Sequence, residues 1–394
     1  MSSSAFQWSQ LRHFVFSSLI LMCSLGLFIM YYKPDINFPT FGIYMFPQKE
    51  ADGPPCPAVK CAEADQAQVS TPNCSSEQHM NPHYNHTQEV QAAGGDAEPD
   101  TIVLIWMWPF GQSYDLNCSA FSITGCHLTD DKAAYSKAHG VLFHHSDIRG
   151  QADLPQEPRP WFQKWVWFNM ESPANSPQIP ELNHLFNLTC NYRLDSNIPV
   201  PYGSLVPVTH EDKSFKLPAK DKLVCWIVSH WNPRHKRVEF YNELKKHVKI
   251  EAYGNAFDRH LNDQEYAKIM PSCKFYLSFE NSIYKDYITE KLYMPMMMGT
   301  VPVVLGTDRQ NYEDRVPGDS FIHVDDFATP KELAERLHHL NHNHTEYMRY
   351  FNWRDKYKVK TSVFGLEHAC STCNYLQKHR GYQAFHGFNN WYWG

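Results

Sequence analysis

The sequence predicts an α/β protein of two doubly wound parallel-sheet domains facing each other across a cleft, preceded by a membrane anchor and a stem. Three observations lead there. Short apolar runs recur along the chain: TIVLIWMWPF (101–110), GVLFHHSDI (140–148), KWVWFNMES (164–172), LVCWIVS (223–229), KFYLSFE (274–280) and TVPVVLG (300–306). Such continuous runs suit strands buried on both faces. Helical patterns lie between or after them, in RHKRVEFYNELKKH (234–247), DYITEKLYMPMMMG (286–299) and TPKELAERLHHL (329–340), the alternation of a parallel sheet covered by helices. A Pro/Lys-rich stretch at 207–221 reads as a hinge, and each side of it has the size of a doubly wound domain.

Ahead of the first domain, residues 1–13 form a short tail. FVFSSLILMCSLGLFIMYY (14–32) is an uncharged apolar run between Arg12, His13 and Lys33. About 20 such residues span a bilayer as a helix. A cleaved signal peptide is the competing reading, but the run is long for that, and YYKPDINF offers no small-residue cleavage site. An uncleaved signal anchor is therefore expected. Arg12 and the amino terminus favour a cytosolic amino end, which puts the rest of the chain in a lumen.

From 33 to 100 there are nine prolines in a loose Gln/Ala/Ser/Asn mixture without periodicity, an extended stem that cannot bury a core. Its Cys56, Cys61 and Cys74 are odd in number. Pairing among themselves or between two chains stays open, and the second would give a homo-oligomer through the stem. Sequons at Asn73, Asn85, Asn117, Asn187 and Asn343 agree with a lumenal, N-glycosylated chain. So do eleven cysteines, one of them Cys23 in the anchor. Beyond the stem, the domains are read as 101–215 and 216–365, with a tail at 366–394.

The formal net charge of -6 gives no basic field, which argues against a nucleic-acid partner. No G-x-G-x-x-G follows a strand and no Walker lysine loop occurs, which counts against NAD and ATP. No Asp-x-Asp is present to hold a divalent ion on a nucleotide diphosphate. A diphosphate would instead need fixed cations and backbone N–H groups. Arg237 and Lys291, each early in a helix that follows a core strand, can supply the cations. The most unusual polar stretch is FENSIYKDYITEK (279–291), placed between two core strands. It reads either as a solvated loop or as a site where a strand's carboxyl end opens into a crevice.

FENSIYKDYITEKLY, SHWNPRHKRVEFYNEL, WPFGQ, WFNMESP, GTVPVVLG and FNWR resemble, in order over essentially all of 101–394, the motifs of the α-1,3-fucosyltransferases of animal Golgi membranes. The resemblance implies inverting transfer of L-fucose from GDP-fucose to the 3-hydroxyl of N-acetylglucosamine in lactosamine-type glycans. The products are Lewis x-type chains on glycoproteins and glycolipids. It also implies a two-domain Rossmann-like (GT-B-like) fold, with the acceptor on the first domain and GDP-fucose on the second, lumenal on a single-pass Golgi anchor. Asn281, Tyr287, Glu290, Lys291 and Arg237 then fall at donor-binding positions, and Glu171 at that of the general base. Gln112 matches an acceptor position, as do His145 and Ser146 in HHSDI. There the family reads HHRD or HHWD, so Ser146 leaves the linkage preference open. The family pattern also pairs Cys118–Cys370, Cys126–Cys373 and Cys225–Cys273, tying the tail to the first domain and leaving Cys190 over.

Three signals remain. Pro295 stands where a helix interior is expected and should kink it. Cys370-x-x-Cys373 has no partner pair for zinc. The string HHLNHNHTEY (338–347) looks metal-like but straddles a helix end and a sequon, so no metal site is assigned. No cofactor is expected to be required, and a divalent ion at most stimulates. A non-catalytic lumenal lectin and a transferase of another nucleotide sugar are the competing functions. The first would not need a diphosphate site.

Overall fold

The computed structural model describes residues 100–209 and 215–394. The anchor, the stem with its three cysteines, and the sequons at Asn73 and Asn85 lie outside the described residues. Among the described residues no helix is long and apolar enough to cross a membrane. All of them belong to one compact unit.

The first sheet contains β1 (Thr101–Ile105), β2 (Cys126–Thr129), β3 (Gly140–His144), β4 (Lys164–Asn169), β5 (Leu188–Asn191) and β6 (Ile198–Pro199). They run in the order β2-β1-β3-β4-β5-β6, every neighbouring pair parallel. After β7 (Gly203–Pro207) the second sheet begins with β8 (Lys222–Ile227), α1 (Lys236–Leu244), β9 (Ile250–Tyr253), α2 (Asp263–Ser272) and β10 (Cys273–Phe279). It continues through α3 (Glu290–Met297), β11 (Val301–Leu305), α4 (Arg309–Glu313) and β12 (Ile322–His323). Its order is β12-β11-β10-β8-β9, again all parallel. Both sheets thus share one winding, with the direction reversing between β1 and β3 and between β8 and β10. Such reversals open crevices at the strands' carboxyl ends.

α5 (Pro330–His342) and α6 (His344–Arg349) follow and pack on the second sheet, and β13 (Tyr357–Thr361) pairs antiparallel with β7. This ribbon packs on α3. Gly203 permits the approach, since a Cβ there would stand 2.6 Å from the Tyr293 ring. In the second sheet Phe275, Leu277 and Phe279 join Val301, Val303 and Leu305 in a core with Val238, Leu244, Leu333 and Leu337 of α1 and α5. α3 continues through Pro295 to Met297. The expected disruption does not end the helix, because the proline sits in its last turn, and Met296 is in the core.

The first sheet corrects one expectation. Between its strands the described residues form only short 3-10 turns, not covering helices. Pro155, Pro158 and Pro160 before β4, and Pro173, Pro177 and Pro180 after it, deny those connections the N–H groups and ring clearance a helix needs. The cover comes from the tail, as α7 (Leu366–Lys378) and α8 (Phe388–Trp393). Successive strand residues face opposite sides. Phe168 meets His368 of α7 with ring centroids 4.2 Å apart, whereas Trp167 meets Phe388 and Tyr392 of α8 at 4.8 and 4.7 Å. One tail therefore caps both faces. Disulfides Cys118–Cys370 and Cys126–Cys373 fasten α7, and Cys225–Cys273 joins β8 to the start of β10. Cys190 is free and buried.

Candidate active site

The carboxyl end of β4 turns sharply through residues 169–176. The Glu171 N–H donates to Asn169 Oδ1 at 3.2 Å, and the Ser176 hydroxyl donates to Ser172 O at 2.9 Å. Asn and Ser side chains hold turns in this way. The Glu171 carboxylate makes only long contacts, accepting from Tyr287 Oη at 3.4 Å and Asn175 Nδ2 at 3.5 Å. Burial raises its pKa above the ordinary carboxylate value, the Lys291 charge opposes that, and the Glu290 charge adds to it. A carboxylate so placed is a stronger base than one in water.

Facing it is the loop that leaves β10. Ser282 Oγ donates to Ser172 Oγ at 2.6 Å, joining the loop to the Glu171 turn. Asp286 adopts a left-handed backbone with φ 62°. Its buried carboxylate accepts from Asn311 Nδ2 at 2.8 Å, Arg315 Nη2 at 3.0 Å and Leu194 N of the first domain at 3.1 Å. These bonds hold Tyr287 in place, only 2% exposed, its ring 5.2 Å from that of Tyr192.

Thr289 caps α3 through the Lys291 N–H. Glu280, 2% exposed, accepts from the Thr289 N–H at 2.8 Å and from its hydroxyl at 2.9 Å. Lys291 Nζ lies 2.9 Å from Glu290 Oε1 and 3.5 Å from Glu280 Oε2. Burial works against the lysine's charge, but Glu290 and Glu280 outweigh it and hold the pKa above the usual lysine value. Glu290 in turn is pushed up by burial and pulled down further by Lys291, ending below the carboxylate range.

Arg237, in the first turn of α1, is 4% exposed and donates through Nη2 to His230 O. Its buried Nε has no partner among the described residues. Burial lowers its pKa and Glu280 opposes the shift, yet a guanidinium stays charged. Two cations thus stand at the starts of two helices, each at the carboxyl end of a core strand. Helix starts of this kind take anions through free N–H groups and the helix dipole.

The structure brings Glu171, Tyr287, Glu290, Lys291 and Arg237 into one electrostatically linked group. Asn281 lies on the same loop, half-buried, its Oδ1 3.2 Å from the Ser282 hydroxyl. Gln112 is exposed just beyond the carboxyl end of β1. His145 departs from the acceptor-binding expectation. It is 1% exposed, its ring between Trp167 and Trp393, with Nε2 3.0 Å from Pro177 O. That ring presents nothing to an acceptor, and Ser146 is the exposed member of the pair. Asn117 is exposed and Asn343 caps α6. Asn187 is instead a hub, accepting from Trp165 N and Arg159 Nη1 and donating to Gln383 O.

Sequence reasoning missed Glu280, Asp286 and Tyr392. Glu280 was findable as the carboxylate that directly ends a core strand. Asp286 gave no sign, being one polar residue among many. Tyr392 donates through its hydroxyl to Glu171 O from 221 positions away, beyond any local pattern. Among the described residues no group of three or more His, Cys, Asp or Glu side chains is arranged to hold a metal ion. His339 of HHLNHNHTEY is paired with Glu346 at 2.7 Å.

Residues 217–391 match the family model described as glycosyltransferase family 10 (fucosyltransferase) C-term, and residues 98–203 match fucosyltransferase, N-terminal. The mouse and human 4-galactosyl-N-acetylglucosaminide 3-alpha-L-fucosyltransferases 9 are each 51% identical to this chain over 297 residues, covering 75% of it and 82% of each of them. A bovine 3-galactosyl-N-acetylglucosaminide 4-alpha-L-fucosyltransferase is 41% identical over 307 residues, 76% of this chain and 84% of that one. A crystal structure of an alpha1,3-fucosyltransferase with GDP-fucose superposes with TM-score 0.47 at 16% identity, covering 74% of this chain and 93% of that one.

Proposed function

Because the chain belongs to glycosyltransferase family 10, the fucosyltransferases, its activity is α-1,3-fucosyl transfer, and we propose that it moves L-fucose from GDP-fucose to lactosamine-type glycans with inversion. The acceptor is the 3-hydroxyl of N-acetylglucosamine on glycoproteins and glycolipids. The observation that supports this most is the meeting of a buried carboxylate, Glu171, with the loop that carries Tyr287, Glu290 and Lys291.

In this reading GDP-fucose lies along the carboxyl ends of β8 and β10. Arg237 and Lys291 face the diphosphate, and Glu290 accepts from ribose or fucose hydroxyls. As the glycosidic bond breaks, negative charge grows on the departing diphosphate, where two fixed cations stabilise it most. Glu171 takes the proton of the acceptor hydroxyl, which then attacks the anomeric carbon from the face opposite GDP. One displacement inverts that centre. With the cations in the protein, no divalent ion is required, although one can speed release of GDP. The apolar run at 14–32 anchors the chain in the Golgi membrane, with the catalytic domains in the lumen.

The test is Glu171→Gln assayed with a panel of nucleotide sugars and both lactosamine types, with and without EDTA. Loss of the general base costs about 10²–10⁴ in rate, so turnover with GDP-fucose falls at least a hundredfold while GDP affinity holds. Transfer by the unaltered protein persists in EDTA. Near wild-type transfer by Glu171→Gln, or preference for another nucleotide sugar, overturns the proposal.

A further inference from the structure

Glu171 stands on a turn fastened by a distant segment. The Tyr392 hydroxyl of α8 donates to Glu171 O and accepts from Asn169 Nδ2 at 3.1 Å. At the far end of the turn, Trp393 Nε1 donates to Ser176 O at 2.8 Å. α8 is itself pinned to the end of β5, where Arg193 Nη1 donates to Trp391 O and the guanidinium lies 4.4 Å over the Trp391 ring. Tyr392 is 2% exposed, so its bond is shielded from water.

Both backbone polar groups of Glu171 are thereby committed, the N–H to Asn169 Oδ1 and the C=O to Tyr392. Its carboxylate has no comparable fastening, since its hydrogen bonds run to 3.4 and 3.5 Å, near the limit for such contacts. The position of the carboxylate is therefore set mainly through the peptide that bears it. The preceding carbonyl, Met170 O, is held in the same manner by the Tyr202 hydroxyl. A proton acceptor must sit within hydrogen-bond reach of the hydroxyl it activates.

We propose that Tyr392 is a positioning residue of the reaction, fixing the Glu171 peptide so that the carboxylate stands where the acceptor hydroxyl arrives. Trp393 supports the same turn from its other end. The inference rests on Glu171 being the base.

The experiment is steady-state kinetics on the full chain with GDP-fucose and a lactosamine acceptor. It compares Tyr392→Phe, Glu171→Gln and the two combined, with calorimetric GDP affinity as a check on the folded fraction. A misplacement of about 1 Å can cost about a hundredfold. Tyr392→Phe is therefore expected to lower kcat roughly ten- to a hundredfold, with donor KM and GDP affinity unchanged. In the Glu171→Gln background it should slow transfer less than about twofold, because a residue acting through the base has nothing left to position. Trp393→Phe, which removes the bond to Ser176 O and trims the ring packed against His145 and Tyr392, should give the same pattern more weakly, and it replaces Tyr392→Phe if that variant fails to fold. Wild-type kcat in the variant used overturns the proposal. So does an equal loss in both backgrounds, which would make the role purely structural. If Glu171→Gln itself turns over normally, the base assignment fails; if it is crippled while Tyr392→Phe is normal, only the positioning role fails.

Discussion

Tyr287 and Glu171 meet across the line between the two sheets, the phenol donating to Oε2 at 3.4 Å. The group that reads as the base is thus tuned by the loop that reads as the donor site. A base works only when deprotonated, so kcat should rise with pH through the folded-state pKa of Glu171. Burial raises that pKa, and Lys291 is the largest influence opposing the rise. The acid limb should therefore lie above the ordinary carboxylate range. Tyr287→Phe removes a donor that favours the anion and should move the limb to higher pH. Lys291→Ala should move it further. A kcat–pH series on the three proteins checks the order, and a limb unmoved by both variants refutes it.

Arg237→Ala and Lys291→Ala should each weaken GDP binding, since a hydrogen bond to a charged group contributes roughly 1.5–3 kcal/mol, or about ten- to a hundredfold. Glu280→Gln should go the other way. It leaves an acceptor for Thr289 but removes an anion close to both cations, so GDP should bind at least as tightly. Calorimetry with GDP alone separates the cases. Unchanged affinity in both cation variants would place the diphosphate elsewhere.

Non-reducing peptide mapping should recover Cys118 with Cys370 and Cys126 with Cys373. These close loops of 252 and 247 residues. On the chain-entropy model such a loop adds up to about 5 kcal/mol, so removing both pairs together by serine substitution should lower the urea midpoint more than any single surface change. Cys190, fully buried and with its thiol pKa raised by burial, should react with alkylating agents only after unfolding. Ready alkylation of Cys118 or Cys370 in the folded protein would contradict the pairing.

Acid should destabilise the fold through two histidines buried beside the first sheet. Burial lowers the His145 pKa to about 4 and that of His368 to about 3. An unfolded histidine titrates near about 6.5. Below that pH the unfolded chain binds protons that the folded chain refuses. Stability is therefore present above about pH 6.5 and is lost as pH falls toward 4, by at most about 1.4 kcal/mol per pH unit for each ring. His368→Leu, whose ring nitrogens have no hydrogen-bond partner among the described residues, should flatten the decline in urea midpoint between pH 7 and 5. An equally steep decline in His368→Leu and wild type would count against this.

The long strands were legible because continuous apolar runs such as CKFYLSF have few other ways to be buried. α1, α3 and α5 were legible from helical spacing. The strands left unread are short or polar, among them CHLT in β2, LTCN in β5 and IP in β6. Only their neighbours in the sheet make them strands. His145 was placed at an acceptor position by the family resemblance alone, and no local pattern shows that Trp167 and Trp393, far apart in sequence, close over its ring. The candidate site's grouping was readable where its residues are neighbours in sequence, as with Glu290 and Lys291. It was unreadable where a tyrosine arrives from the far end of the sequence.

The cover of the first sheet also orders events during synthesis. Cys118 and Cys126 emerge 252 and 247 residues before the cysteines they bond. At about 5–20 residues per second, that is an interval of roughly ten to fifty seconds. Once β6 has emerged, both faces of the sheet still lack their helices until the tail follows, and in the proposed lumenal setting Cys118, Cys126 and Cys190 wait there as open thiols. Each can bond the wrong neighbour. Maturation of this chain should therefore lean on disulfide isomerases and on chaperones that shield aromatic surface, and its yield in cells should track their supply more closely than the stability of the finished fold.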